Sequence, residues 1–96
     1  MPGAYWVAHI EVTDADAHGR YAKLAGPAIE AHGGRFLARG GRHVQLEGKE
    51  RARNVVVWFP SVEAAEACYH SDAYQAALDH CRETSHRDLV VVEAFE

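Results

Sequence analysis

Residues 32–41 read HGGRFLARGG, a short apolar and basic segment between two Gly-Gly pairs. Glycine adopts backbone conformations that other residues avoid, so the first pair predicts the end of a helix. The second pair predicts a bend or bulge in a strand. The stretch therefore indicates a helix followed by a strand, in a chain that mixes α and β structure.

The segment before this stretch predicts one strand and one helix. Residues 4–12 are rich in aromatic and β-branched side chains and end at Thr13 and Asp14, where a helix can begin. Over residues 15–32 the apolar positions recur at helical spacing; they are Ala17, Tyr21, Leu24, Ala25, Ala28 and Ile29. The polar side of this helix would carry His18, Arg20, Lys23 and Glu30. The pair Gly26-Pro27 predicts a kink or a helix in two parts, because proline lacks an amide donor.

Three further strands are predicted after this helix. Residues 35–47 predict a strand interrupted by a bulge at Gly40-Gly41. Residues 53–59 contain VVVWF, an apolar run typical of a strand buried on both faces. Residues 89–95 predict a last strand that again has apolar side chains at consecutive positions.

Two short helices are predicted between the third and fourth strands. Pro60 ends the third strand, and Ser61 and Ser71 are each placed to cap a helix. The inward faces of these helices would carry Val62, Ala65, Cys68, Tyr69, Tyr74, Ala77, Leu78 and Cys81.

The element order β-α-β-β-α-β predicts a single α+β domain over residues 1–96 with a ferredoxin-like fold and a four-stranded antiparallel sheet. Helices can cover only one face of such a sheet. Because the third and fourth strands are apolar on both faces, a second copy of the sheet is the simplest cover for the other face. The sequence therefore predicts a homodimer that forms a dimeric α+β barrel.

Composition limits the partners of this chain. The formal net charge of −4 over 96 residues argues against nucleic-acid binding, which relies on clustered lysine and arginine. The first residues, MPGAYWVAHIEV, resemble neither a signal peptide nor a membrane span, so no membrane partner and a cytoplasmic location are expected. Cys68 and Cys81 match no zinc or redox spacing and are interpreted as two buried thiols.

The chain resembles the family of domain of unknown function 1330, small bacterial proteins of the dimeric α+β barrel superfamily. The resemblance rests on four segments: AYWVAHIEVTD, GGRFLARGG, VVVWFPSVEAAEACYHSDAYQ and DLVVVEAF. It implies the barrel fold and a dimer. Relatives in the wider superfamily include cofactor-independent monooxygenases, muconolactone isomerases and small cyclases, together with proteins of no known activity. Trp58 stands where the family often has an acidic residue, so no carboxylate role is carried over to that position.

His9 is the first candidate catalytic residue. Strand alternation assigns Trp6, Ile10 and Val12 to the helix-covered core and places His9 and Glu11 on the opposite face. A histidine in a partly closed cavity can act as a general base or acid. The alternative interpretation is a hydrogen-bonded histidine at the dimer interface.

Arg39 is the second candidate catalytic residue. It precedes the second Gly-Gly pair, and Arg35 is expected on the same face of the strand. A guanidinium directed into a cavity would hold a carboxylate or enolate. The alternative is an ion pair with Glu93 or Glu11.

Five other residues are candidates for ligand binding: Tyr21, His43, Trp58, Tyr69 and Glu93. The tyrosine hydroxyls, with that of Tyr74, could line a pocket between helices and sheet, and Trp58 could form an apolar wall, although core packing is the simpler explanation for each ring. His43 follows the predicted bulge, which leaves its direction open. Glu93 is expected to be a partnered carboxylate with a raised pKa, or else to lie at an exposed strand end.

Two functions are compatible with these residues. The seven histidines show no spacing typical of a metal site, and the glycines do not form a nucleotide loop, so neither a metal nor another cofactor is predicted. The first function is a cofactor-independent monooxygenase, isomerase or cyclase acting on a small carbonyl or aromatic compound, with His9 transferring the proton. The second is a non-catalytic, ligand-binding or stress-associated homodimer.

Overall fold

The computed structural model describes residues 2–95, which form four strands and three helices. In chain order these are β1 (Ala4–Val12), α1 (Ala15–Ala31), β2 (Arg35–Arg39), β3 (Arg53–Phe59), α2 (Val62–His70), α3 (Asp72–Asp79) and β4 (Ser85–Glu93). Within these residues no helix is long and apolar enough to cross a membrane.

The strands form one antiparallel sheet in the order β2-β3-β1-β4. Trp6 in the central strand β1 pairs with Val57 of β3 and with Val91 of β4, and all three point towards the helices. This order and the helices on one face confirm the predicted ferredoxin-like fold.

Polar side chains cap all three helices as predicted. Asp14 accepts hydrogen bonds from the amides of Asp16 and Ala17, and Ser61 and Ser71 each accept one from the third residue after them. Each cap satisfies an amide that has no partner inside its helix. At the other end of α1, Gly33 has a φ of 84°, the left-handed conformation that favours glycine.

The core lies between the helices and one face of the sheet. Its fully buried large side chains include Trp6, Val57, Phe59 and Tyr74. Cys68 and Cys81 are free and buried in the same core, as predicted. Burial raises the pKa of the Cys68 thiol to about 11, so this thiol stays protonated near neutral pH.

The strand predicted over residues 35–47 is wrong in length and in the position of its irregularity. β2 ends at Arg39, and residues 40–52 contain neither helix nor strand. The pairing with β3 shifts between Phe36 and Ala38, so the bulge lies at Leu37 rather than at Gly40-Gly41. One extra residue reverses the side-chain alternation.

Helix α1 and strand β4 also differ from the predictions. α1 is one continuous helix with Pro27 inside it, so the predicted division into two parts is wrong. Pro27 lies on the exposed side, where water can bond the carbonyl that loses its donor. Leu24 is 46% exposed, whereas His18 is partly buried, the reverse of the predicted faces. β4 spans Ser85–Glu93 rather than residues 89–95.

Candidate functional site

A small cavity of about 30 Å³ lies between α1 and the sheet, and we call it the α1 cavity. Its apolar lining consists of Trp6, Ala8, Ile10, Ala22, Ala25, Gly26, Ile29, Phe36 and Val55. Its polar lining consists of His18, Tyr21, Arg39, Arg53 and Arg87. The helix and three strands of the sheet thus direct five polar side chains to one cavity between α1 and the sheet.

Arg87 is the polar centre of the cavity wall. It lies on the helix-covered face of β4, opposite Ile10. Its Nη2 donates hydrogen bonds to the hydroxyls of Tyr21 and Tyr74, both at 3.0 Å, and its guanidinium lies 4.7 Å from the centre of the Tyr21 ring. Burial lowers the pKa of Arg87, but the two tyrosines raise it, and the net shift is upward. Arg87 is therefore a fixed cation in this wall.

The two tyrosine hydroxyls leave one proton for a ligand. Their oxygens lie 2.7 Å apart, so one hydroxyl donates to the other. Arg87 offers only donors, so the second hydroxyl proton has no acceptor among the hydrogen bonds of residues 2–95. Tyr21 lines the cavity and Tyr74 does not. If Tyr74 donates to Tyr21, the Tyr21 hydroxyl is free to donate to an oxygen in the cavity.

Burial also keeps the second tyrosine un-ionised. Tyr74 is fully buried, and this burial, followed by the effect of Tyr21, raises the pKa of Tyr74 well above its usual value. The Tyr74 hydroxyl therefore keeps its proton under ordinary conditions.

Two glycines make room for the other two arginines. A Cβ at Gly26 would lie 3.1 Å from Nη2 of Arg39, whose guanidinium carbon lies 4.1 Å from the centre of the Phe36 ring. A Cβ at Gly40 would lie within contact distance of the Arg53 guanidinium, and Gly40 has a φ of 71°. A glycine of α1 and the glycine directly after β2 thus lie against these two guanidinium groups.

His18 faces the same cavity and has no hydrogen-bond partner. Both of its ring nitrogens are shielded from solvent, and neither is paired within residues 2–95. Its ring packs against Tyr21, with the ring centres 5.5 Å apart. Burial, together with the positive charges of Arg53 and Arg87, lowers the pKa of His18 below 6.5. The imidazole is therefore neutral at pH 7 and can accept a proton.

The charge of the α1 cavity is unbalanced. No aspartate or glutamate of residues 2–95 lines it, and none lies within ion-pair distance of Arg39, Arg53 or Arg87. Three guanidinium groups around an apolar space attract an anion, and the low polarity of the walls strengthens that attraction.

Arg39 and Tyr21 are the two predicted site residues that line this cavity. His9 does not: it lies on the opposite, open face of the sheet, where it is exposed and its Nδ1 lies 2.6 Å from Oδ1 of Asn54. Within one chain, His9 and Arg39 therefore do not face the same cavity. Arg35 also lies on the open face, 5.2 Å from the centre of the Trp58 ring, so its predicted position beside Arg39 is wrong.

The remaining predicted residues lie outside the α1 cavity. Trp58 is half-buried on the open face, and Tyr69 lines a separate groove of about 220 Å³ between α2 and β4. His43 lies in the loop after β2, with Nε2 3.3 Å from a carboxylate oxygen of Glu50. Glu93 is exposed at the end of β4 and forms no ion pair within residues 2–95, so its alternative placement at a strand end is the observed one.

Three polar residues of the cavity, His18, Arg53 and Arg87, were not among the predicted site residues, although the sequence contains a signal for each. Arg53 alternates with Val55 and Val57, and Arg87 alternates with Leu89 and Val91. Extending that alternation by one step places both arginines on the helix-covered face. His18 precedes Tyr21 by three positions and Ala25 by seven, which is the spacing of one helix face.

Comparison with known proteins supports the fold. The chain matches the family described as "Domain of unknown function (DUF1330)" over residues 3–95. A crystal structure of a protein of unknown function from Rhodopseudomonas palustris superposes with a TM-score of 0.80 at 18% identity, covering 99% of this chain and 84% of that chain. No curated protein matches the chain significantly.

Two further solved structures share this architecture. A cofactor-independent oxygenase from Streptomyces nogalater superposes with a TM-score of 0.70 at 11% identity, covering 100% of this chain and 96% of that chain. A dimeric ferredoxin-like protein of unknown function from Thermobifida fusca gives a TM-score of 0.65 at 17% identity, covering 97% and 92% respectively. At such identities the similarity establishes the fold alone.

Proposed function

Because the chain belongs to the DUF1330 family, whose function is unknown, we propose a function from the α1 cavity itself. The protein is a cofactor-independent enzyme that removes a proton from a small phenol or enolisable carbonyl compound. The observation that carries this proposal is a neutral, unpartnered His18 facing the same apolar cavity as three guanidinium groups without a counter-ion.

The site contains a group that accepts the proton and groups that stabilise the charge left on the substrate. A nitrogen of His18 accepts the proton from the O–H or α-C–H group of the substrate, which leaves an imidazolium and a phenolate or enolate. Arg87, and the hydroxyl of Tyr21 when Tyr74 donates to it, lie where they can stabilise the new oxyanion. Return of the proton to a different atom completes an isomerisation, with no external oxidant or reductant.

The size of the cavity restricts how a substrate binds. A volume of about 30 Å³ has room for little more than a water molecule or the oxygen of a ligand. Arg39 is exposed and rests on Phe36, so a planar ring can replace the guanidinium on that surface. The reacting oxygen then enters the α1 cavity while the ring lies at its mouth.

A homodimer is part of this proposal. On the open face of the sheet, Val90 is 56% exposed and Val92 is 51% exposed, and Val56 and Trp58 are half-buried beside them. Apolar side chains at consecutive strand positions favour a cover for both faces. The Thermobifida fusca relative, which is described as dimeric, supports a second copy as that cover.

The proton transfer can be tested with 4-nitrophenol, whose phenol and phenolate forms absorb at different wavelengths. We expect the wild-type protein to bind it as the phenolate without releasing a proton to solvent, because His18 retains the proton. Absorbance reports the phenolate, and calorimetry in two buffers of different ionisation enthalpy reports the released proton. His18→Gln should either release the proton or bind the neutral phenol, whereas His80→Gln, at an exposed position, should behave as wild type.

Two results would contradict the proposal. Binding of 4-nitrophenol as the neutral phenol by the wild-type protein would support the non-catalytic, ligand-binding alternative. Identical proton release by the wild type and His18→Gln would exclude His18 as the proton acceptor.

A further inference from the structure

We propose that the substrate of the α1 cavity carries a carboxylate, and that Arg39 and Arg53 together bind it. This inference rests on the proposed function, because it names the substrate class of the same site. The substrate is then a small hydroxyaromatic acid or an enolisable oxo acid, with its carboxylate on the β2 and β3 side of the cavity.

The three guanidinium groups of the cavity differ in their partners. Arg87 is already directed to the hydroxyls of Tyr21 and Tyr74, at 3.0 Å from each, and serves the oxyanion formed by proton removal. Arg39 and Arg53 form no ion pair with any carboxylate of residues 2–95. A single negative charge on the reacting oxygen would leave both of them uncompensated, so a second anionic group fits the site better.

Glycines leave space beside the Arg39 and Arg53 side chains. The three atoms nearest to a Cβ at Gly26 all belong to the Arg39 guanidinium, at 3.1 to 3.9 Å. The three atoms nearest to a Cβ at Gly40 all belong to Arg53. A glycine in α1 and the glycine directly after β2 thus leave room for two guanidiniums that line one cavity.

The guanidinium groups of Arg39 and Arg53 are chemically suited to a planar carboxylic acid. A guanidinium offers parallel N–H donors that match the two oxygens of a carboxylate, and it stacks well on flat rings. Arg39 already stacks on Phe36, with 4.1 Å from its guanidinium carbon to the ring centre. When the exposed Arg39 side chain moves off Phe36, a planar acid can bind with its ring over Phe36 and its carboxylate against the two arginines.

The carboxylate can be tested by comparing 4-hydroxybenzoate with 4-hydroxybenzamide, which has the same shape but no negative charge. We expect the acid to bind about tenfold more tightly than the amide by calorimetry, because a hydrogen bond to a charged group contributes about 1.4 kcal/mol or more. Equal affinity for the two compounds would overturn the carboxylate but leave the proton-transfer site intact. Failure of both to bind would overturn both proposals.

Arg53→Gln should reduce the preference for the acid over the amide, because the acid loses one of the two guanidinium groups that balance its charge. A preference that persists in both Arg39→Gln and Arg53→Gln would exclude these two residues as the carboxylate site.

Gly26→Ala tests the space reserved for Arg39 without removing a charge. A Cβ there would lie 3.1 Å from Nη2 of Arg39 and shift the guanidinium, so we expect the preference for the acid over the amide to fall several-fold. Gly19→Ala is the matched control, because it lies in the same helix and a Cβ there meets nothing within 4 Å. Both variants should fold, since alanine favours a helix more than glycine does. Equal affinities in the two variants would contradict the assigned role of Arg39.

Discussion

The hydroxyl oxygens of Tyr21 and Tyr74 lie 2.7 Å apart, although the two residues are 53 positions apart in the chain. Both accept a hydrogen bond from the same nitrogen of Arg87. This contact joins α1, α3 and β4 through three polar side chains inside an otherwise apolar core. It therefore contributes both to the stability of the fold and to the polarity of the α1 cavity.

Tyr74→Phe should lower the free energy of unfolding by about 1–3 kcal/mol, because Arg87 and Tyr21 each lose a buried hydrogen-bond partner. Tyr69→Phe is the control: its ring packs against Trp6 and Tyr74, but its hydroxyl forms no hydrogen bond within residues 2–95. Urea denaturation of both variants measures the difference. Equal losses of stability would show that the hydroxyl network contributes nothing beyond ring packing.

Gly34→Ala should destabilise the protein by about 1–3 kcal/mol, because overpacking a dense core forces neighbouring groups to move. A Cβ there would lie 2.5 Å from Cγ2 of Ile29 and 3.0 Å from a ring carbon of Phe59. Gly41→Ala should change stability little, since a Cβ there meets nothing within 4 Å. Thermal and urea unfolding of the two variants provide the comparison, and similar midpoints would refute the assigned packing.

Stability should decrease as the pH falls through 6.5, in part because of His18. Its pKa is lowered in the folded chain from 6.5, chiefly by burial. Above that pH the imidazole is neutral in both the folded and the unfolded chain. Below it the unfolded chain binds a proton that the folded chain does not, so the free energy of unfolding falls.

The contribution of His18 appears in a comparison of variants. Urea unfolding between about pH 5 and pH 7.5 should show a shallower loss of stability in His18→Gln than in the wild type. His80→Gln, at an exposed position, should retain the wild-type slope. If stability falls as steeply with pH in His18→Gln as in the wild type, the pKa of His18 is not lowered by folding.

Val90→Lys should weaken the proposed homodimer by roughly a hundredfold, since burying an unpaired ammonium costs several kcal/mol. Light scattering at micromolar concentration measures the effect. Leu24→Lys is the control, because Leu24 is similarly exposed, at 46% against 56%, but lies on α1 away from the open face. A wild-type monomer under these conditions, or equal dissociation of the two variants, would contradict the proposed interface.

Much of the fold was predictable because its signals are local. The bounds of β1 and β3 agree with the predictions, since β-branched and aromatic runs and a following Pro60 mark them. The helix caps at Asp14, Ser61 and Ser71 are recognisable from residue type alone. Two-sided apolar strands likewise predicted the exposed apolar face of the sheet.

The site was less predictable because it depends on register. The bulge at Leu37 places Arg39 under α1 and Arg35 on the open face, and no residue type marks that position as a bulge. β4 begins four residues before its apolar run, so Arg87 was not recognised as a core-facing residue. An error of one position in a strand exchanges its two faces. Local sequence patterns therefore do not reliably predict which strand residues face the α1 cavity.

The sequence by itself determined the order of the strands and helices, where the helices are capped and that the sheet is apolar on both faces, because these properties depend on neighbouring residues and on side-chain periodicity. Only the tertiary structure decided that His18, Tyr21 and three arginines share one cavity while His9 lies on the other side of the sheet. Which side chains line the cavity depends on strand register and on the packing of α1 and α3 against the sheet. Both bring together residues that are far apart in the chain.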